Sequence, residues 1–477
     1  MPTIAELARR TPATRRRHVD LLRALAMGAV VVGHWLVMTV ERGADGLLTG
    51  FTALPHLTVL HPLTWVFQVM PLFFLVGGVS NAISWTRARD RGRDAAGWLL
   101  DRSTRLFPPV TALLVTTAVG AVVAGWAGAP AVFVARVVEL VVLPLWFLVV
   151  YLALIALTPA MHRLHERWGL AVPAVLLVGV VLGDVVRLST GVELGAAGNF
   201  AFAWLAVHQL GFAWRDGSLR LTRARAAVLL AGAVTALVLL TGPGPYPVSM
   251  VSVPGAAIQN PSPPSLALMA LAAAQVALAV LVAGPADRWL ARRRPWAAVL
   301  GMNATVLTVY LWHMVASFVG AMLLDAVGML PSSDVHSAAW WLGRVPWLAT
   351  LSLVLAVFVA VFGRIETRTL TRKLAQGATA ATPRGPLATL PVVLGAYGAA
   401  ALGMYWLASA GRGPHGPFVV PTGALALVLG AAAMLRLART ARGRGVEADA
   451  VTAPTRPACA GRRGTSGPSR VISAARD

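Results

Sequence analysis

His18-Val-Asp20-Leu-Leu-Arg23-Ala-Leu-Ala-Met-Gly-Ala-Val-Val-Val-Gly-His34 opens the first long apolar run of the chain. From Ala24 to Gly33 no side chain can carry a charge, and the run continues through Trp35 to Val40. A helix needs about 20 predominantly apolar residues to cross the hydrocarbon core of a bilayer, and residues 20–40 supply them. Comparable runs recur. Twelve spans are expected, near 20–40, 63–85, 106–127, 138–159, 170–187, 199–214, 224–241, 265–284, 296–324, 347–363, 388–408 and 417–437. The sixth is short, and the ninth is long enough to tilt or break. Composition agrees: 57% of the 477 residues are hydrophobic and 13% charged, where a soluble domain carries roughly 25% charged residues. That much apolar surface has no aqueous core to fill, which makes lipid the solvent. The expected fold is an all-α polytopic membrane protein, a bundle of about 10 core transmembrane helices plus 2 C-terminal ones.

Charge sets the orientation. The 41 basic residues outnumber 19 acidic ones, for a net charge of +22. In a nucleic-acid binder they would cluster on a polar face among aromatics. Here they sit in short gaps between apolar runs, so no nucleic-acid partner is expected. With the N-terminus inside, the segments 1–18, 86–105, 160–169, 215–225, 285–295, 364–387 and the tail hold 35 of them. The outer segments hold 5, and Arg23 lies within the first span. This split predicts an even number of spans in a multi-pass plasma-membrane protein with both termini cytoplasmic.

The same reading divides the chain. Residues 1–18 form a basic cytoplasmic segment, 19–370 the main transmembrane domain, 371–439 two additional helices, and 440–477 a disordered cytoplasmic tail. Segment 242–264, rich in Pro, Gly and Ser and free of charge, reads as a linker or as the cover of an extracytoplasmic cavity. Cys459 is the single cysteine, so no disulfide, zinc knuckle or thiol nucleophile is expected. The first run lacks an A-x-A-like exit, which speaks against a cleavable signal peptide. No internal repeat of the kind many transporters carry is present.

An ionisable side chain at membrane depth is costly, so each is a functional candidate. Arg23 and His34 are eleven residues apart, which at about 100° per residue puts them on one helix face, with His34 about 16 Å nearer the outside. Asp20 lies one turn before Arg23 and can pair with it. That pair reads either as an interfacial anchor or as part of a site, whereas a mid-membrane histidine serves either a helix–helix bond or proton transfer. In Arg102-Ser-Thr-Arg105-Leu-Phe-Pro108-Pro109 the two arginines share a helix face. They read as positive-inside residues or as a fork for phosphate. Asn303, Tyr310 and His313 follow one another on one face of the ninth span, where interhelical packing explains them as well as a site does. Trp204, His208 and Gln209 are weaker candidates in the sixth. His162 and His165 have no third ligand at a suitable spacing, so no metal site is expected.

Taken in order, these elements resemble the acyltransferase-3 family of integral membrane O-acyltransferases. The resemblance rests on Asp20-x-x-Arg23 with His34, Pro71-Leu-Phe73-Phe74-Leu-Val-Gly77-Gly78, Arg102-x-x-Arg105-Leu-Phe-Pro108, Pro144-Leu-Trp146-Phe147-Leu148 and Gly301…Tyr310-Leu311-Trp312-His313. It covers about residues 15–370. It implies transfer of an acyl group, often acetyl, from cytoplasmic acyl-CoA to a hydroxyl of a sugar, glycolipid or secreted small molecule. Acyl-CoA is then a co-substrate, and no bound cofactor is implied. Arg23 and His34, with Asp20, are the implied catalytic residues, His34 as general base, and Arg102 and Arg105 the donor-binding pair. Trp146, Tyr151, His208, Asn303, Tyr310 and His313 form a possible pocket. The chain departs from the family pattern in reading Asp20-Leu21-Leu22-Arg23 for Asp-Gly-Leu-Arg, and in carrying Tyr151 where some members have Glu. It also adds two helices and lacks a fused extracytoplasmic hydrolase-like domain. Two other readings compete: a twelve-helix transporter or lipid flippase, and the other class of membrane O-acyltransferases, whose His and Asn His313 and Asn303 imitate.

Overall fold

Helices form wherever the sequence runs apolar, because a backbone in hydrocarbon must satisfy its polar groups internally. The computed structural model describes residues 4–9, 11–12, 15–375, 389–410 and 421–452. A short α1 (Ile4–Arg9) precedes α2 (Arg17–Val37), which is the first span. Next come a hairpin of β1 (Met38–Arg42) and β2 (Leu48–Thr52), in register from Met38 opposite Thr52 to Arg42 opposite Leu48, and the short α3 (Thr64–Phe67). The bundle continues with α4 (Met70–Asp90), α5 (Ala95–Trp126), α6 (Ala131–Val142), α7 (Leu145–Trp168), α8 (Ala171–Thr190), α9 (Asn199–Asp216), α10 (Arg223–Thr241) and α11 (Leu266–Trp289). It closes with α12 (Arg293–Ala304), α13 (Val306–Ala326), α14 (Ala338–Ala375), α15 (Leu390–Ser409) and α16 (Thr422–Thr452).

Among the described residues, eleven helices are long and apolar enough to cross a membrane, one fewer than expected. The difference is the segment at 199–214. There α9 carries Asn199, His208, Gln209, Arg215 and Asp216, which dilute its apolar residues. It still returns across the bundle beside α8. At one end of this helical hairpin Asn199 donates to the Asp184 carboxylate at 3.1 Å. At the other, His165 of α7 lies 2.7 Å from Asp216. Asn199, His208 and Gln209 are tolerated because they are buried and bond to α8, α4 and α7 in turn, whereas Arg215 and Asp216 lie at the more open end of the helix.

Ion pairs sort into the two groups that the charge count predicts. Arg89–Glu166, His165–Asp216, His18–Asp287 and Arg105–Glu366 join segments expected inside. Arg42–Asp325, Arg136–Asp45 and Arg187–Glu193 join segments expected outside. The basic loops therefore gather at one end of the bundle.

Three local features refine the expectations. The ninth span is broken at Thr305 into α12 and α13, which frees backbone groups on both sides of the break. Segment 242–264 is tied down instead of hanging as a linker. Trp65 and Gln68 donate to the carbonyls of Val248 and Met250, the Met250 N–H donates to the Thr64 hydroxyl, and Asn260 donates to the Pro247 and Ser249 carbonyls. Finally, α16 runs on to Thr452, into the stretch expected as tail; residues 453–477 lie outside the described residues.

Candidate active site

Two polar clusters sit at different depths along the inner face of α2. The first is built where α2, α4, α5, α12 and α14 meet at the basic end. Asp20 is buried and pairs with Arg15 at 2.8 Å and with Arg23 at 3.5 Å. Arg23 also donates to the Ser80 hydroxyl of α4. Arg102 donates to the Asn81 side-chain oxygen at 3.0 Å and to the Ser84 hydroxyl, and stacks its guanidinium over Trp98 at 5.2 Å. Asn81 passes the contact on, since its amide nitrogen donates to His208 Nε2 at 3.1 Å.

α4 and α9 approach this closely because Gly78 and Gly211 face each other. A Cβ on Gly78 would stand 2.1 Å from the His208 carbonyl oxygen, and one on Gly211 would stand 2.3 Å from that of Leu75.

Arg105 fills the break between α12 and α13. It donates to the freed Asn303 carbonyl at 2.8 Å and to Glu366 at 3.3 Å. The other oxygen of Glu366 accepts from the Thr308 N–H and hydroxyl, both at 3.1 Å. One ion pair thus satisfies both ends of the broken helix. The Asn303 amide binds the Asp20 and Val299 carbonyls, which leaves its side-chain oxygen buried without a partner. Arg23, Arg102 and Arg105 lie close enough for their charges to repel one another. Asp20 and Glu366 are the carboxylates paired with Arg23 and Arg105, and Arg102 makes its contacts with neutral groups. The cluster is a net cationic site suited to a polyanion.

The second cluster lies in the last turn of α2, about 16 Å further along at 1.5 Å per residue. His34 Nδ1 is 2.8 Å from His313 Nε2, and the rings lie edge to edge and nearly coplanar, their centroids 5.1 Å apart with 13° between their planes. His313 is fully buried. His34 is exposed, on the side of α2 opposite the outward-facing Leu25, nine residues earlier and half a turn round the helix. Trp35 donates to the His313 carbonyl at 3.0 Å and Trp347 donates to the Trp35 carbonyl at 2.9 Å, which locks α2, α13 and α14 around the pair. Tyr310 donates to the Pro144 carbonyl at 2.7 Å. From Tyr310 an aromatic series leads through Phe147, at 5.2 Å, to Tyr151, stacked on Phe147 at 5.9 Å. Tyr151 is within electrostatic reach of Arg23 and Arg102, so rings bridge the two clusters.

The expected residues separate accordingly. Arg23, Arg102, Arg105, Asn303 and, through Asn81, His208 share the basic cluster; His34, His313 and Tyr310 share the outer one. Asp20 does not meet His34. Fourteen residues of helix hold them about 21 Å apart, and its pairing with Arg15 and Arg23 makes it a local counter-charge. Trp146 is not in the site either: it is 37% exposed, and Phe147 takes the inward position. Asn303 and His313 sit on opposite sides of the helix break and engage different partners.

Glu366, Ser80, Asn81 and Ser84 belong to the inner cluster without having been expected. Glu366 left a signal, as a carboxylate just beyond the apolar run of the tenth span; the others are common small polar residues. Among the described residues no group of His, Cys, Asp and Glu could hold a metal.

The family model described as Acyltransferase domain, that of acyltransferase-3, matches residues 16–364. No curated protein and no solved structure matches the chain. The match takes in both clusters and ends just before Glu366, and the chain belongs to the acyltransferase-3 family of membrane acyltransferases.

Proposed function

We propose that the protein moves an acyl group, acetyl in the simplest case, from acyl-CoA on the side of the basic loops to a hydroxyl of a sugar, glycolipid or secreted small molecule. The observation that carries this reading is the convergence of Arg23, Arg102 and Arg105 at one depth, with an accessible imidazole at another. Coenzyme A bears a pyrophosphate and a 3′-phosphate, which guanidinium groups bind well. Its extended pantetheine arm is long enough to carry a thioester from that cluster towards His34.

In the reaction, His34 takes the proton of the acceptor hydroxyl, and the oxygen adds to the thioester carbonyl. The tetrahedral adduct expels the coenzyme A thiolate, and the proton held by the imidazole neutralises it. With a separation of about 16 Å, Arg23 cannot stabilise an oxyanion formed at His34, so its role belongs with the donor phosphates. Orientation follows from the basic loops: they face the cytoplasm of the plasma membrane, and His34 faces the other side.

The test is incubation of membranes with radiolabelled acetyl-CoA and separate counting of lipid, polysaccharide and medium. Transfer is expected from the wild type and is expected to fall by about 10²–10⁴-fold in His34→Ala while the variant accumulates normally. Full transfer by that variant refutes the assignment of the base. Substrate flux without any acyl donor would favour a transporter.

A further inference from the structure

Both ring nitrogens of His313 are engaged, and together their contacts determine where the proton on His34 must be. Its Nδ1 lies against the Tyr310 carbonyl oxygen. A carbonyl only accepts, so His313 Nδ1 must carry a hydrogen. In a neutral imidazole the other nitrogen is then a bare acceptor. That nitrogen, Nε2, is the one 2.8 Å from His34 Nδ1. His34 must therefore donate from Nδ1, which leaves its own Nε2 as a lone pair. His34 Nε2 has no hydrogen-bond partner among the described residues, and the residue is exposed on the side of α2 opposite Leu25.

We infer that His313 is a positioning residue which, through the Tyr310 carbonyl, holds His34 in the Nδ1–H tautomer so that Nε2 faces the acceptor hydroxyl as the base. The inference rests on the acyl-transfer reading above. It assigns to a second histidine the task that a carboxylate performs for many catalytic histidines, in fixing the ring's tautomer and orientation. A carboxylate would favour imidazolium; a neutral imidazole fixes the tautomer without placing a charge in the bundle. The parallel rings and the Trp35 bond to the His313 carbonyl supply the rigidity this needs. During the reaction His34 gains the acceptor's proton on Nε2, becomes imidazolium, and keeps its Nδ1–H bond to His313. The proton leaves with the coenzyme A thiolate, and both rings return to their starting state.

Full-length protein in nanodiscs, with ¹⁵N-labelled histidine, separates this role from a packing role. The His34 resonances are identified by their loss in His34→Gln. The wild type is expected to show a protonated Nδ1 and a bare Nε2 at His34, the minor tautomer of histidine in water. His313→Leu removes the acceptor. It is expected to shift His34 towards the Nε2–H form and to lower kcat at least about tenfold, with KM for acetyl-CoA unchanged. His313→Gln can present an amide oxygen near the position of Nε2, and is expected to restore both the tautomer and most of kcat. A wild-type His34 protonated on Nε2 overturns the inference, as does a wild-type kcat in His313→Leu. Equal losses in the Leu and Gln variants with the tautomer unchanged overturn it as well, because only packing is then at stake. If the wild type transfers no acyl group at all, the reading beneath the inference falls, and the spectrum still decides the tautomer.

Discussion

Replacing Gly78 with alanine tests whether the inner arginine cluster, the proposed donor site, depends on how closely α4 and α9 approach. The added Cβ would meet the His208 carbonyl oxygen at 2.1 Å, its carbon at 3.0 Å and Gly211 Cα at 3.1 Å, against an ordinary contact of 3.4 Å or more. These are backbone atoms within helices, so no rotamer change relieves the clash, and the helices must separate by about 1.3 Å. Overpacking costs about 1–3 kcal/mol, offset by the better helix propensity of alanine, about 0.5–1 kcal/mol. The net loss is about 1–2 kcal/mol. Separation also stretches the 3.1 Å bond from Asn81 to His208, one turn further along the same face, beyond hydrogen-bonding range. Arg102 loses a fixed partner with it, so KM for acyl-CoA should rise several-fold while kcat falls less. Thermal unfolding in detergent and steady-state kinetics read the two effects. Gly28→Ala is the control: its Cβ would meet nothing within 4 Å, and it should be neutral or slightly stabilising. A Gly78→Ala protein with the thermal stability and KM of the wild type would refute the reasoning.

Other expected outcomes follow from single contacts. Glu366→Ala leaves the Thr308 donors and Arg105 without their carboxylate. Breaking a buried pair costs about 3–5 kcal/mol, but Arg105 keeps a side-chain exposure of 40%, and screening reduces the cost to about 2 kcal/mol; Glu366→Gln should lose about half of that in the same unfolding assay. Burial and the neighbouring Asp184 carboxylate raise the pKa of the Tyr246 phenol above its ordinary value, so it remains a donor to Asp184 at 2.7 Å. Tyr246→Phe should cost about 1–3 kcal/mol and speed proteolytic cleavage within 242–264, a change absent if that segment is held by its other contacts alone. Trp146→Ala, outside the site, should change acyl transfer by no more than about twofold, and a large loss would return Trp146 to the pocket.

What could be read from the sequence is what depends on local geometry. Lengths of apolar runs mark the helices, the alternation of arginine marks their sidedness, and the interval from Arg23 to His34 puts both on one face, because each follows from a fixed rise and rotation per residue. Even the break in the ninth span was foreshadowed by its length. Helix neighbours were not legible in the same way. His34 and His313 are 279 residues apart, and Arg105 and Glu366 are 261 apart. Nothing in either local sequence names its partner. In lipid, apolar faces do not choose their neighbours through the hydrophobic effect; close packing and interhelical hydrogen bonds choose them. The meeting of Gly78 with Gly211, and the freed backbone on either side of Thr305, are products of that choice. The tertiary structure therefore decided which histidine meets His34, which carboxylate holds Arg105, and that Trp146 yields its inward place to Phe147.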